Sequence, residues 1–180
     1  MVDTFSVSVP RPLTGKSNEN SAAGASRRKA FPMLARSTGW THLALDPSAL
    51  ASGDRATHRE QLAAQPVGAW GADGVILSIQ PIVGARPVET PGRVIRGLAA
   101  VAADLLDAAA VEGLCLCGGD TAEAFWRQIG ARGLLIREEI LPGLMRGEFI
   151  GGPQNGCPVV TKAGAFGHAD TLNQLIDSLK

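Results

Sequence analysis

What narrows the fold most is a rhythm that begins at Gly39: short apolar runs alternate with amphipathic stretches, as β-α units feeding one sheet do. The clearest run is Gly74-Val75-Ile76-Leu77-Ser78-Ile79. Its continuous β-branched character suits a strand buried on both faces, and Pro81 and Gly84 interrupt it. After Pro91, residues Val94, Leu98, Val101, Leu105 and Ala108 recur at alternating spacings of four and three. That predicts a helix with one apolar stripe, with Asp104 and Asp107 turned outward, ending near Gly113. Leu114–Cys117 then reads as a short strand, Asp120–Gly130 as a helix and Leu134–Ile140 as another strand. Upstream, Thr41–Leu45 is a strand candidate and Asp54–Gln65 a weakly apolar helix. Downstream, the glycine-rich Pro142–Gly156 suggests an antiparallel excursion around Glu148-Phe149-Ile150, and Pro158–Thr161 is a last strand. Ala169, Leu172, Ile176 and Leu179 stripe a C-terminal helix. The expected fold is a three-layer α/β domain, its mostly parallel sheet of about five to six strands covered by helices on both faces.

The stretch before this rhythm is different. Residues 1–36 hold Arg11, Lys16, Arg27, Arg28, Lys29 and Arg36 against Asp3 and Glu19, and Thr14–Arg28 is polar, small and aperiodic. Residues 1–38 are therefore expected to be a flexible or irregular arm and residues 39–180 one domain. Over the whole chain 17 basic and 17 acidic residues cancel, which argues against a nucleic-acid partner. No apolar run reaches membrane-spanning length, and a cytoplasmic protein is expected. Three cysteines, Cys115, Cys117 and Cys157, make no even disulfide framework and read as reduced strand-packing thiols.

Two glycine-rich strand-to-helix junctions carry the candidate chemistry. In Cys117-Gly118-Gly119-Asp120-Thr121-Ala122-Glu123, Asp120 can cap the helix and Glu123, three residues on, can complete a capping box. A helix N-terminus behind two residues lacking Cβ suits a nucleotide's phosphates. The same residues also suit a tight turn with an ordinary cap, and Asp120 could serve that cap or a magnesium ion. The second junction, Thr161-Lys162-Ala163-Gly164-Ala165-Phe166-Gly167-His168, joins a mobile positive charge to a backbone able to wrap an anion; a surface loop with a solvated lysine is the plain alternative. If both follow parallel strands, they share the strands' carboxyl edge, where open α/β sheets bind ligands. Thr14-Gly15-Lys16-Ser17 fails as a P-loop, since Pro10 stands where the motif's first glycine belongs and a poor helix former follows. His42, His58 and His168 show no metal-ligand spacing, so no structural metal site is expected. Trp70 and Trp126 read as core or interface anchors.

Gly118-Gly119-Asp120-Thr121, Glu139-Ile140-Leu141-Pro142-Gly143 and Thr161-Lys162-Ala163-Gly164-Ala165-Phe166-Gly167 with Asp170 resemble, in order and spacing, motifs of the nucleotide-binding C-terminal domain of the four-carbon acid sugar kinases. Leu45-Asp46-Pro47 extends the resemblance toward Gly39. Members of that family phosphorylate threonate, erythronate or oxo-tetronate with ATP, an N-terminal domain holding the acid sugar and a C-terminal domain the nucleotide. The resemblance implies ATP and magnesium as cofactors, with Gly118, Gly119, Asp120, Thr121 and Gly164 contacting ATP and Lys162 near the phosphates. Phe5-Ser6-Val7-Ser8 departs from the family's Gly-Ser-x-Ser segment, with phenylalanine for its glycine.

The acid-sugar domain has no counterpart in the roughly forty residues ahead of the matched region, whereas phosphoryl transfer needs a positioned acceptor and a group to take its proton. The expectation is an ATP-binding half-kinase, inactive alone, whose partner is a separate acid-sugar-binding domain, with an exposed apolar patch filled by a homodimer contact. The other reading is a non-catalytic binding or assembly module that keeps the fold.

Overall fold

The computed structural model describes residues 4–8, 39–53, 56, 60, 74–80, 91–108, 111–163 and 171–178. Its strands are β1 (Thr4–Ser8), β2 (Thr41–Leu45), β3 (Gly74–Ile79), β4 (Gly113–Cys117), β5 (Gly133–Leu141), β6 (Leu144–Ile150) and β7 (Pro158–Lys162). Its helices are α1 (Pro47–Ser52), α2 (Pro91–Ala108), α3 (Gly119–Gln128) and α4 (Thr171–Asp177). Of the expected helix over Asp54–Gln65 only Ala56 and Glu60 are described, both helical; the loop from Gly164 to Asp170, Thr14–Ser17, Trp70, His58 and His168 lie outside the described residues.

All seven strands form one sheet in the order β2-β3-β1-β4-β7-β6-β5. The sheet is mixed, which corrects the expected mostly parallel one. Only β2 with β3 and β4 with β7 pair in parallel; the other four neighbouring pairs are antiparallel. Two strands cause this. The two-residue link Pro142-Gly143 forces β6 to run against β5, since so short a connection cannot cross over. And β1, from the stretch expected to be arm, inserts antiparallel between β3 and β4. The remaining five strands point the same way, so the β-α direction read from sequence survives.

Side chains alternate across the sheet and build two cores. Leu114, Leu116 and Val159 join Val94, Leu98, Val101 and Leu105 of α2 and Phe125 of α3 on one face. Cys115, Cys117 and Val160 face Leu175 of α4 on the other. Helices thus cover both faces, as expected. Each fully buried leucine contributes about 1.5–3 kcal/mol to this assembly. Along α2, Ile95, Ala99, Ala102 and Leu106 are buried as well and Ala108 is exposed, so the apolar face is wider than one stripe. In α4 Leu175 enters the core.

The short α1 was not expected, yet its ends are well marked. Asp46 accepts a hydrogen bond from the Ser48 amide at 2.7 Å, Pro47 opens the helix, and Gly53 closes it at φ 72°. At the other end of the core, Phe125 packs against Phe149 of β6 with ring centroids 6.0 Å apart, tying α3 to the far half of the sheet.

Candidate functional site

Because β4 and β7 are parallel neighbours with Cys117 opposite Lys162, both strands end at one rim. There the Gly118 amide donates to the Lys162 carbonyl at 2.9 Å, and the Ala163 amide donates to the Gly143 carbonyl of the β5-β6 turn at 3.0 Å. Glu139 supports that turn by accepting from the Gly143 amide at 3.1 Å. Three segments distant in the chain, around Gly118, Gly143 and Lys162, are therefore stitched together by backbone hydrogen bonds. Gly164 follows Ala163 directly but lies outside the described residues.

The turn itself is built for glycine. Gly118 has φ 106°, a backbone conformation that side chains oppose, and its N–H is consumed by Lys162. Helix α3 begins at Gly119 with no side-chain cap. The expected capping box does not form. Since the helix starts one residue earlier than predicted, Asp120 falls inside the first turn, exposed, and Glu123 pairs instead with Arg127 at 2.7 Å. The first intrahelical bond is from the Ala122 amide to the Gly118 carbonyl, so the amides of Gly119, Asp120 and Thr121 have no helical carbonyl behind them.

Two further features mark this turn. A Cβ built on Gly119 would meet nothing within 4 Å, so open space stands in front of the turn. And the Thr121 hydroxyl, fully buried, has no hydrogen-bond partner. A buried polar atom left unpaired is costly and marks the place of a missing acceptor or donor. Uncapped amides, the positive helix end, open space and a waiting hydroxyl together fit a phosphate group.

The remaining candidates behave differently. Lys162 contributes its carbonyl to the turn, while its Nζ donates to the Ala163 carbonyl at 3.1 Å. Burial pushes the Cys117 thiol up to about 11 against the opposing charge of Lys162, and burial raises Cys115 and Cys157 too. All three thiols are free and stay protonated at neutral pH, as packing cysteines do. His42 is on β2, half-buried, with Nε2 2.8 Å from Ser78 Oγ, and burial lowers its pKa. It is far along the sheet from the rim. Trp40 is buried against Gly74, and Trp126 packs on the edge of the main core. Among the described residues no group of three or more His, Cys, Asp or Glu could hold a metal ion, and no helix is long and apolar enough to cross a membrane.

Residues 33–172 match the family model described as nucleotide-binding C-terminal domain. The chain belongs to that family. Among curated proteins it is similar to D-threonate kinase of Salmonella typhimurium, 38% identical over 80 residues that make up 44% of this chain and 19% of the relative. D-threonate kinase of Bordetella bronchiseptica is 37% identical over 87 residues, 48% of this chain and 22% of that one. D-erythronate kinase of Heliobacterium modesticaldum is 33% identical over 93 residues, 51% and 21% respectively. The resemblance to the four-carbon acid sugar kinases is thereby borne out, and the chain spans about a fifth of the length of these relatives. Among solved structures, a domain of unknown function from Bordetella bronchiseptica, a domain-swapped dimer with bound citrate, superposes with TM-score 0.69 at 27% identity. That match covers 84% of this chain and 38% of the other.

Proposed function

We propose that the rim binds ATP with magnesium and that the chain serves as the nucleotide-holding half of a kinase for four-carbon acid sugars: threonate, erythronate or oxo-tetronate. The observation that carries this reading is the uncapped start of α3, with the Thr121 hydroxyl buried and unpartnered behind it. In this reading the Gly119, Asp120 and Thr121 amides hold a phosphate and Gly118 shapes the turn. Thr121 supplies the hydroxyl hydrogen bond. Gly164 contacts the nucleotide from the second loop, and Lys162 lies near the phosphates. Asp120, exposed and released from capping, is the carboxylate available to the magnesium ion, which neutralises phosphate charge when bound.

The acid sugar is held, in this proposal, by a separate acid-sugar-binding domain, and the chain turns over only in its company. The reduced thiols suit a cytoplasmic setting. A second copy of the chain is a further proposed partner: Leu135, Ile136 and Ile150 are exposed on β5 and β6, and β5 is the sheet's edge strand. Light scattering that finds only monomer would remove the homodimer.

Isothermal titration with Mg-ATP tests the nucleotide site. The parent is expected to bind in the micromolar range, about 8 kcal/mol of binding free energy. Gly119→Val, whose side chain would occupy the open approach, should weaken binding by about 100-fold or more while melting with the parent. A parent affinity no better than millimolar would instead favour the non-catalytic binding or assembly module.

A further inference from the structure

Lys162, the cation that the sequence puts beside the phosphates, is rooted on the sheet face that carries α4. Its register partner Cys117 and its strand neighbour Val160 both pack there with Leu175. The open amides of α3 belong to the opposite layer. That layer also holds α2, which packs over β1 and β3 while α3 packs over β4 and β7, the two helices side by side. Each helix follows a strand that ends at the same rim, so both N-termini open there.

We infer that Arg96 of α2 is a phosphate-binding residue of this site, gripping the nucleotide's phosphate tail from the side of α3 opposite Lys162. The inference rests on the nucleotide reading above and adds to it the residue that supplies positive charge in α3's own layer. Four observations support it. Arg93 and Arg96 occupy the first two turns of α2 with no acidic residue in the first turn, a placement that the positive end of a helix disfavours. Local placements that a fold disfavours collect at functional sites. Arg96 Nη1 lies 3.4 Å from where a Cβ on Gly92 would be, so the guanidinium turns back along the helix toward the rim. Gly97 abuts the Leu50 carbonyl of α1, and Arg96, about 100° around the helix from it, stands on the exposed side, turned away from α1. Finally, Arg96 is exposed with Gly92, Arg93, Ala99 and Ala100 as its helical neighbours, none of them acidic, and it forms no ion pair among the described residues. A guanidinium so placed presents two parallel N–H donors to a phosphate, as a lysine cannot.

The test is titration of the whole chain with Mg-ATP, Mg-ADP and AMP, comparing the parent with Arg96→Gln and Arg96→Lys. Arg96→Gln should bind Mg-ATP about tenfold more weakly or worse, Mg-ADP less affected and AMP least, with an unchanged melting temperature. Arg96→Lys should recover part of the loss. Affinities within about twofold of the parent for all three nucleotides would leave Arg96 a solvated surface residue and overturn the inference, as would equal losses for all three. If the parent itself fails to bind Mg-ATP, the nucleotide reading falls first and takes this one with it; a binding parent with an indifferent Arg96→Gln sinks this inference alone.

Discussion

Two glycines, both in helices, show how the molecule separates what it needs from what it reserves. A Cβ on Gly97 of α2 would collide with the Leu50 carbonyl of α1. A Cβ on Gly119, at the start of α3, would meet nothing. The first glycine is required by the protein's own packing, since only a bare backbone lets the two helices approach so closely. At the second, nothing among the described residues fills the space in front of the uncapped amides, and that asymmetry is the argument for a ligand at the rim.

The largest effect should fall on the packing glycine. In an exposed helix, Gly→Ala is worth about 1 kcal/mol in favour of alanine. At Gly97 the contact decides the sign instead: α1 must be pushed off α2, and Gly97→Ala should cost about 2–4 kcal/mol in urea denaturation. A stable Gly97→Ala would erase the contrast with Gly119, because it would show that the helices have room after all.

Thr121 lies between the two cases, enclosed by the protein's own packing and yet unsatisfied as the Gly119 turn is. Valine has the same shape without the hydroxyl. Removing an unpaired buried hydroxyl spares its desolvation, so Thr121→Val should leave stability unchanged or raise it by about 1 kcal/mol. Affinity for Mg-ATP should meanwhile drop by about tenfold. Stability and binding moving in opposite directions would sharpen the comparison. A loss of stability would mean that the hydroxyl serves the fold, and the site would lose its strongest mark.

The elements legible in the sequence were those whose signal is local. Continuous apolar runs gave away β3 and β4, and the spacing from Val94 to Leu105 gave away α2. The order of strands was not local. Nothing near Phe5 says that Thr4–Ser8 would slip between β3 and β4, because that pairing is made by residues about seventy and one hundred and ten positions away. Helix α1 had its signals in plain view, Asp46-Pro47 before it and Gly53 after it, but six residues are too few to show a helical period. At the site, the glycine turn and its neighbour β7 were readable from Gly118-Gly119 and Lys162. The orphaned Thr121 hydroxyl was not, since burial of one atom is decided by the surrounding packing. Nor was the side from which Lys162 approaches, which depends on strand alternation counted back through Val160.

The smallest effect concerns Glu123, whose role, like that of Asp120, changed between sequence and structure. A Glu123 that completed a capping box would close the helix start on itself, and its loss would cost about 1 kcal/mol whatever the salt concentration. A Glu123 paired with Arg127, both side chains well exposed, is an ordinary helical ion pair worth about 0.3–0.5 kcal/mol and screened by salt. Glu123→Gln should therefore lower stability by no more than about 0.5 kcal/mol in dilute buffer and by nothing measurable in about 1 M sodium chloride. Mg-ATP affinity should not change. A salt-insensitive loss near 1 kcal/mol would put the glutamate back on the amides of the first turn, and amides already occupied by the protein's own carboxylate would have little left to offer a phosphate.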